Sequence, residues 1–385
     1  MTGIALSRRP VASLRRNPAA AWRHLDVTLV AAIGAVSALG LVMVFSASRG
    51  ATPPYDYSFA VKQLLFLVIG ALVMAAIVLV DYRRVRDVAP GIYGVTVFLL
   101  AAVLVVGSRR KGTQGWFPLG PFQLQPSELA KLGLILAVAW LASQFGGDVD
   151  LRRFVALLLV AAVPMGLVLL QPDLGTMLVS AAIVGAMLLM SGVKARYLAL
   201  LGLAGVVSIG VVLKSGALDG YQKDRLTVFA QQDSPTGLDQ SRTAAYNLEQ
   251  SKIAIGSGGL VGKGLFQGTQ TRLGNVPEQR TDFIFTAVGE QLGLVGAGGL
   301  LALLSLIVWR VHRSAQLARD EFGSLVCIGV MAMFVFQIFE NVGMTMGIMP
   351  ITGIPLPFMS YGGSAAVTSF AAMGLVLNVH MRRFT

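Results

Sequence analysis

This chain has almost none of the side chains that crosslink, hold transition metals or relay protons. Cysteine occurs once in 385 residues, at Cys327, and histidine three times, at His24, His312 and His380. One cysteine excludes an intrachain disulfide and a cysteine-based metal cluster, and leaves the redox compartment undetermined. The histidines lie far apart and all fall on the predicted cytoplasmic side. That excludes a histidine zinc site or a Ser-His-Asp triad on the outer face, and narrows the chemistry there to carboxylates. Charge is also scarce, with 13% charged residues against 55% hydrophobic and a mean hydropathy of +0.71. A soluble domain of this length is excluded by that balance. No tandem repeat, low-complexity tract or soluble domain is visible either.

What the chain does have is apolar runs. A membrane span needs about 20 apolar residues, and ten candidates are present, at approximately 27–47, 61–80, 89–107, 127–143, 154–171, 174–191, 197–214, 283–309, 323–345 and 364–380. The expected fold is therefore all-α, a polytopic membrane protein of about ten transmembrane helices. It divides into a segment 1–26, one transmembrane domain 27–380 and a short tail 381–385. Residues 1–26 hold five arginines and no long apolar run, so a removable signal peptide is not expected.

The net charge of +12 comes from small basic clusters between the apolar runs. Such clusters behave as topology signals, which makes anionic membrane lipids the expected partner and not nucleic acid. Arg8, Arg9, Arg15, Arg16, Arg23, Arg83, Arg84, Arg86, Arg152, Arg153, Lys194, Arg196, Arg310, Arg313, Arg319, Arg382 and Arg383 all fall on one side of a ten-span chain. That side is expected to be cytoplasmic, with both termini. The opposite side carries Arg49, Lys62, the cluster Arg109 to Lys111, and the long segment 215–282. A connection of that length in a compact protein is functional or disordered. Tyr221, Arg225, Phe229 and Tyr246 give it a composition unlike a disordered linker.

The remaining polar residues gather around a few stretches. Asp282 in PEQRTDF sits where the long loop meets a span, and ionisable groups near spans mark function because they are costly there. It reads either as the chemical centre or as an N-cap for a helix starting at Phe283. Capping and the nearby Arg280 would both lower its pKa. The glycine-dense run Gly256–Gly264 beside Lys263 reads as a tight loop packing against the membrane surface or as a diphosphate or sugar contact, and matches neither common phosphate-loop spacing. Glu128 and Lys131 in QPSELAKL are three apart on one helical face, either a structural ion pair or the lining of a polar cavity. Asp173 in QPDLGT is read first as a helix cap. The stretch Met349–Ser364, with three prolines, reads as a re-entrant outer loop lining a cavity. Glu290, Gln291, Glu340 and Asn341 should face the bundle, in helix-to-helix hydrogen bonds more than in catalysis.

In this order, QPSELAKL, QPDLGT, QSKIAIGSGGLVGKGLFQGTQ, PEQRTDFIF and GIPLPFMSYGGS resemble the SEDS family of shape, elongation, division and sporulation proteins. The resemblance covers essentially the whole chain from Asp26 to Gly374, and it is nearer to the RodA branch than to the FtsW branch. It implies a peptidoglycan glycosyltransferase that polymerises lipid II at the outer face of the cytoplasmic membrane, working with a class B penicillin-binding protein transpeptidase. The family's essential aspartate matches Asp282, a general base that takes the proton of the GlcNAc 4-hydroxyl as that oxygen attacks MurNAc C1. Inversion at C1, with loss of undecaprenyl diphosphate, needs only one base and a stabilised leaving group.

Lys252, Lys263, Arg280, Lys111 and Gln250 are the expected substrate or diphosphate contacts. Glu128, Lys131, Asp173, Glu278 and Ser364 are expected along the cavity. No cofactor is required by this scheme, although a divalent cation, Mg or Mn, could share the diphosphate. Two positions depart from the family pattern: Arg280 stands where histidine is frequent, and Gly115 where an arginine precedes Trp116. Two other readings fit the same ten spans, a lipid II flippase and a non-catalytic scaffold of the elongation complex. Against the flippase, the polar residues gather on one side, whereas alternating access uses a midplane site reached from both.

Overall fold

The computed structural model describes residues 24–50, 52–110, 113–119, 122–147, 149–215, 229 and 243–384. The predicted segment 1–26 lies almost wholly outside the described residues, as do Lys111 and most of the first half of 215–282. Among the described residues the chain forms α1 (Val27–Ser48), α2 (Ser58–Leu79) and α3 (Tyr82–Val106), then strands β1 (Ser108–Arg110), β2 (Thr113–Leu119) and β3 (Phe122–Leu124). Helices α4 (Pro126–Ser143), α5 (Leu151–Leu169), α6 (Leu174–Met190) and α7 (Ala195–Ser215) follow. After the long connection come α8 (Thr243–Gly258), the short α9 (Thr269–Leu273), α10 (Ile284–Gln316), α11 (Glu321–Met346) and α12 (Gly363–Met381).

Ten of these helices correspond to the ten apolar runs. Eight are long and apolar enough to cross a membrane, and two shorter apolar stretches, Leu174–Met190 and Ala195–Val207, accompany them. Helices α4, α11 and α12 are largely buried and form the centre, while α2, α3 and α5 turn most of their apolar surface outward. Leu72, Phe98 and Val105 are 66%, 69% and 83% exposed. Each such side chain would cost about 1.5–3 kcal/mol against burial if it met water, so these faces belong in hydrocarbon. Between helices in lipid, packing replaces the hydrophobic drive and small residues let backbones approach. Gly40 of α1 lies so close to Met359 that a Cβ would come within 2.7 Å of its Cα.

Three features differ from the sequence expectation. The segment between α3 and α4 is not plain loop but a small antiparallel sheet in the order β1-β2-β3, with Ser108 opposite Trp116 and Phe117 opposite Leu124. Its short strands carry Thr113, Trp116, Phe117 and Phe122, branched and aromatic residues that favour pleated structure. Helix α3 begins at Tyr82, seven residues before the expected start, because Asp81 accepts a hydrogen bond from the Arg83 amide and caps it. Arg83, Arg84 and Arg86 are thus in a helix and not in a loop. The glycine-dense run is not all loop either, since α8 continues through Gly258.

The helices alternate, so one end of the bundle carries the sheet and the other the arginines. At the arginine end Asp26 caps α1 and accepts from Arg310, with Nε at 2.7 Å. There Asn378 of α12 also binds the Tyr82 amide and Arg382. The segment from Gly347 to Gly362 folds back into the sheet end, and its Leu356–Ser360 stretch is buried. Phe358 stacks on Phe334 and meets Phe370 edge-on. Irregular backbone at this depth needs protein partners. Gln63 supplies one, donating to the Ser360 carbonyl at 3.1 Å.

Candidate functional site

Asp282 lies in the turn that leads into α10. The amides of Thr281, Asp282 and Phe283 all point to the Glu278 carbonyl, at 3.1, 3.1 and 3.3 Å. Glu278 takes φ +54°, the left-handed conformation that closes this turn. Helix α10 starts at Ile284 with Phe283 as its N-cap and no side-chain cap bond. Asp282 is therefore one residue ahead of the N-cap position. It is half-buried, neither sealed among apolar side chains nor fully exposed.

Three elements grip the turn. Asn341, fully buried on α11, donates one amide hydrogen bond to the Asp282 carbonyl at 2.7 Å and another to the Ile354 carbonyl at 2.8 Å. The Arg280 carbonyl accepts from the Tyr361 amide at 2.9 Å. Its guanidinium lies 4.0 Å from the centre of the Phe59 ring, at the start of α2. A cation held over an aromatic face this close is stabilised by the ring quadrupole. The positive field extends to Asp56, whose carboxyl is held below its ordinary range first by hydrogen bonds from Ser58 and then by the charges of Lys62 and Arg280.

A second polar group sits where α4 and α6 begin. Asp173 caps α6 by accepting from the Thr176 amide at 3.0 Å, as the sequence suggested. Its other oxygen accepts from Gln125 Nε2, Ser127 Oγ and Thr176 Oγ1. The Ser364 hydroxyl accepts from the Gln125 amide at 2.9 Å and donates to the Gln123 carbonyl at 3.0 Å. One residue after Ser127, Glu128 forms an ion pair with Lys131 at 2.8 Å, their side chains only 5% and 2% exposed. The two groups share the re-entrant segment. Ile354, whose carbonyl Asn341 holds, packs against Gly175 at the start of α6.

The glycine-rich stretch does something its composition hides. Helix α10 breaks at Gly293, with φ +64° and ψ −162°, and the break frees backbone groups that lipid cannot satisfy. The loop after α8 satisfies them. Lys263 and Gly264 amides donate to the Glu290 and Gln291 carbonyls, both at 3.0 Å, while Leu294 and Val295 amides donate to the Gly259 and Leu260 carbonyls at 2.9 and 3.0 Å. A Cβ on Gly262 would lie 2.2 Å from the Gln291 carbonyl oxygen. The stretch packs closely, as one of its two readings expected, but against a broken helix and not against the membrane surface. Lys263 is correspondingly engaged, 3.0 Å from the buried Glu290 carboxylate and 2.7 Å from Thr269.

Of the expected residues, Glu278, Arg280 and Asp282 come together in one turn. Glu128, Lys131, Asp173 and Ser364 come together at the starts of α4, α6 and α12. On α8, Lys252 is exposed and Gln250 half-buried. The groove between α10 and α11, about 560 Å3, contains none of these residues. Among the described residues no set of three or more His, Cys, Asp or Glu is arranged to hold a metal ion. Phe59, Tyr361 and the Glu290 network were not foreseen. The signal for Glu290 was its position as an uncompensated charge within an apolar run.

An apolar helical bundle whose irregular backbone and buried polar groups converge on one end is an integral membrane protein with a one-sided polar site. The chain belongs to the SEDS family: the profile of the cell cycle proteins FtsW, RodA and SpoVE matches residues 26–384. It is 36% identical to the peptidoglycan glycosyltransferase MrdB of Escherichia coli over 363 residues, 94% of each chain. It is also 36% identical to the stage V sporulation protein E of Bacillus subtilis, covering 92% of this chain and 96% of that one. Among solved structures, the rod shape determining protein RodA of Thermus thermophilus superimposes with a TM-score of 0.70 at 32% identity, covering 94% of this chain and 99% of that one. A chain from a peptidoglycan synthase complex that coordinates polymerization and crosslinking superimposes with a TM-score of 0.78, at the same identity and coverage.

Proposed function

We infer that this chain is a peptidoglycan glycosyltransferase that polymerises lipid II into glycan strands, with Asp282 as the general base. Membership of a family whose relatives carry that activity supports the reaction. The observation that carries the residue assignment is a half-buried aspartate in a turn closed on the Glu278 carbonyl, two residues after Arg280, at the polar end of an otherwise apolar bundle.

In this reading Asp282 accepts the proton of the acceptor's GlcNAc 4-hydroxyl. The oxygen forms a new bond to C1 of the donor MurNAc as the bond from C1 to the diphosphate oxygen breaks. The electron pair leaves with undecaprenyl diphosphate, and the α-linked donor becomes a β-linked product. Arg280 is the cation nearest the base in sequence and faces the leaving diphosphate, with Lys252 and Gln250 of α8 as further substrate contacts. Lys131, neutralised by Glu128, shapes the cavity wall together with Asp173, Glu278 and Ser364. A fixed positive group where charge develops contributes directly to lowering the barrier.

The sheet end faces outside and both termini face the cytoplasm. The concentration of arginine and lysine at the opposite end supports this. The partner is a crosslinking enzyme of the class B penicillin-binding type. The likeness to a chain from a complex that couples polymerization to crosslinking supports it. The role in elongation rests on the RodA-like structural neighbours.

The test is direct. Purified protein with its transpeptidase partner should make glycan strands from lipid II, and Asp282→Asn should abolish them while leaving the folded protein in the membrane. Equal polymerisation by the variant overturns the base assignment.

A further inference from the structure

Glu290 was expected to bond helix to helix inside the bundle. Its carboxylate instead accepts hydrogen bonds from the loop before Asp282, and it is completely buried. Oε1 accepts from Lys263 Nζ at 3.0 Å, Thr269 Oγ1 at 3.2 Å and the Gln270 amide at 2.8 Å. Oε2 accepts from the Thr271 amide at 2.9 Å and its hydroxyl at 2.8 Å. Five donors on one carboxylate, one of them charged, make a strong and geometrically exact anchor for a loop. The neighbouring Gln291 adds to it, accepting from Ser46 and from the Phe266 amide.

The network does not stop at the loop. Gln279, nine-tenths or more buried, donates through Nε2 to Thr271 Oγ1 at 3.1 Å and to Thr286 Oγ1 at 3.0 Å. Thr286 in turn donates to the Phe283 carbonyl at 2.6 Å. A continuous series of hydrogen bonds thus runs from Glu290 through Thr271 and Gln279 into both ends of the turn that carries Asp282. The break at Gly293 separates the first part of α10, with Asp282 just ahead of it, from the rest of the helix. The turn that carries Asp282 is thus held by this first part and the loop as well as by Asn341 and Tyr361.

We propose that Glu290 is a positioning residue for the transfer reaction: acting through Thr271 and Gln279, it sets the orientation of Asp282. The inference rests on the assignment of Asp282 as base. A displacement of about 1 Å in a reacting group costs on the order of a hundred-fold in rate, so loosening this anchor shows in turnover before it shows in binding.

The experiment compares Glu290→Gln, Gln279→Leu and Asp282→Asn in the full-length protein with its transpeptidase partner, measured per folded molecule. For Glu290→Gln, kcat for lipid II polymerisation is expected to fall about ten- to hundred-fold, with KM within about two-fold of the parent. Gln279→Leu leaves the carboxylate and the loop in place and interrupts only the relay, so it should reproduce the loss of kcat. It also carries the test if Glu290→Gln does not fold. A parental kcat in Gln279→Leu, or a Glu290→Gln variant that loses stability but not kcat, overturns the proposal. If Asp282→Asn polymerises normally, the base assignment itself has failed. If Asp282→Asn is inactive while both other variants turn over at the parental rate, only the positioning role has failed.

Discussion

The two ends of the bundle begin their helices differently. At the arginine end α1, α3, α5 and α11 each start on an aspartate, Asp26, Asp81, Asp150 and Asp320, whose side chain accepts an amide hydrogen bond. At the sheet end α2, α4, α10 and α12 start without a side-chain cap. At that end Asp173 caps α6, and Asp56 accepts from the Ser58 amide at the start of α2. Capping side chains contribute about 1 kcal/mol each and neutralise the positive helix start. Where caps are absent, N–H groups at the helix starts add positive potential on the side where the proposed diphosphate leaves. The arginine end is built for stability, and the sheet end keeps its polar groups for holding irregular backbone and, in the proposed reading, for chemistry.

The sharpest way to break that comparison is to remove one carboxylate from each end. Asp282→Asn is expected to lower lipid II polymerisation by about 10²- to 10⁴-fold, the usual contribution of a general base, with no change in the apparent melting temperature. Asp26→Ala should do the reverse. It leaves Arg310 without its partner at a largely buried site and costs about 3 kcal/mol of stability, while turnover per folded molecule is kept. Equal losses of turnover in both variants would erase the division of labour.

The buried pair on α4 sharpens the comparison further. Lys131→Met alone strands the Glu128 carboxylate and should destabilise by about 3–5 kcal/mol. Glu128→Gln combined with Lys131→Met should recover most of that, read as a melting temperature near the parent's. Polymerisation is expected to stay low in the double variant, because the pair is proposed to shape the cavity. Full activity there would move the pair to the purely structural side.

A smaller effect is expected at Asn341. Its replacement by leucine leaves the Asp282 and Ile354 carbonyls unpaired and should cost about 1–3 kcal/mol, divided between stability and kcat. Smaller again is Phe59→Leu, which removes the ring under Arg280. A loss of about 0.5–1 kcal/mol corresponds to a two- to five-fold rise in KM for lipid II. The slightest is a pH effect at Asp56. Its carboxyl is held below the ordinary value in the folded protein, so its contribution is present above that ordinary value and fades as pH falls through the folded one. Asp56→Asn should flatten that acid limb of the stability profile.

Most of the helical framework was legible because each span is a local property: a run of apolar residues long enough to cross hydrocarbon carries its own signal. The limits of the runs were less so. The early start of α3 depends on the Asp81 cap, and its charged first turn hid it from any apolarity count. The three-stranded sheet was missed because its strands are short and lie in a polar connection between two spans. At the site, Asp282, Arg280 and Glu278 were legible as a charged motif beside a span. The Phe59 ring under Arg280 was not, since it stands more than two hundred residues away and nothing in either neighbourhood points to the other. The glycine run was legible as backbone that had to be close to something. What it approaches, the break at Gly293, is a tertiary fact.

By itself the sequence determined a bundle built on ten apolar runs, the end at which its polar residues collect, and the carboxylate on which the proposed chemistry turns. These follow from run length, charge distribution and motif, each read over a few neighbouring residues. Only the tertiary structure decided that Lys263 is bound to Glu290, that the glycine loop completes a broken helix, and that Asn341 and Gln279 hold the Asp282 turn. Those outcomes depend on which backbone groups the break leaves unsatisfied in a low-dielectric interior, and their partners come from segments that meet only once the chain has packed.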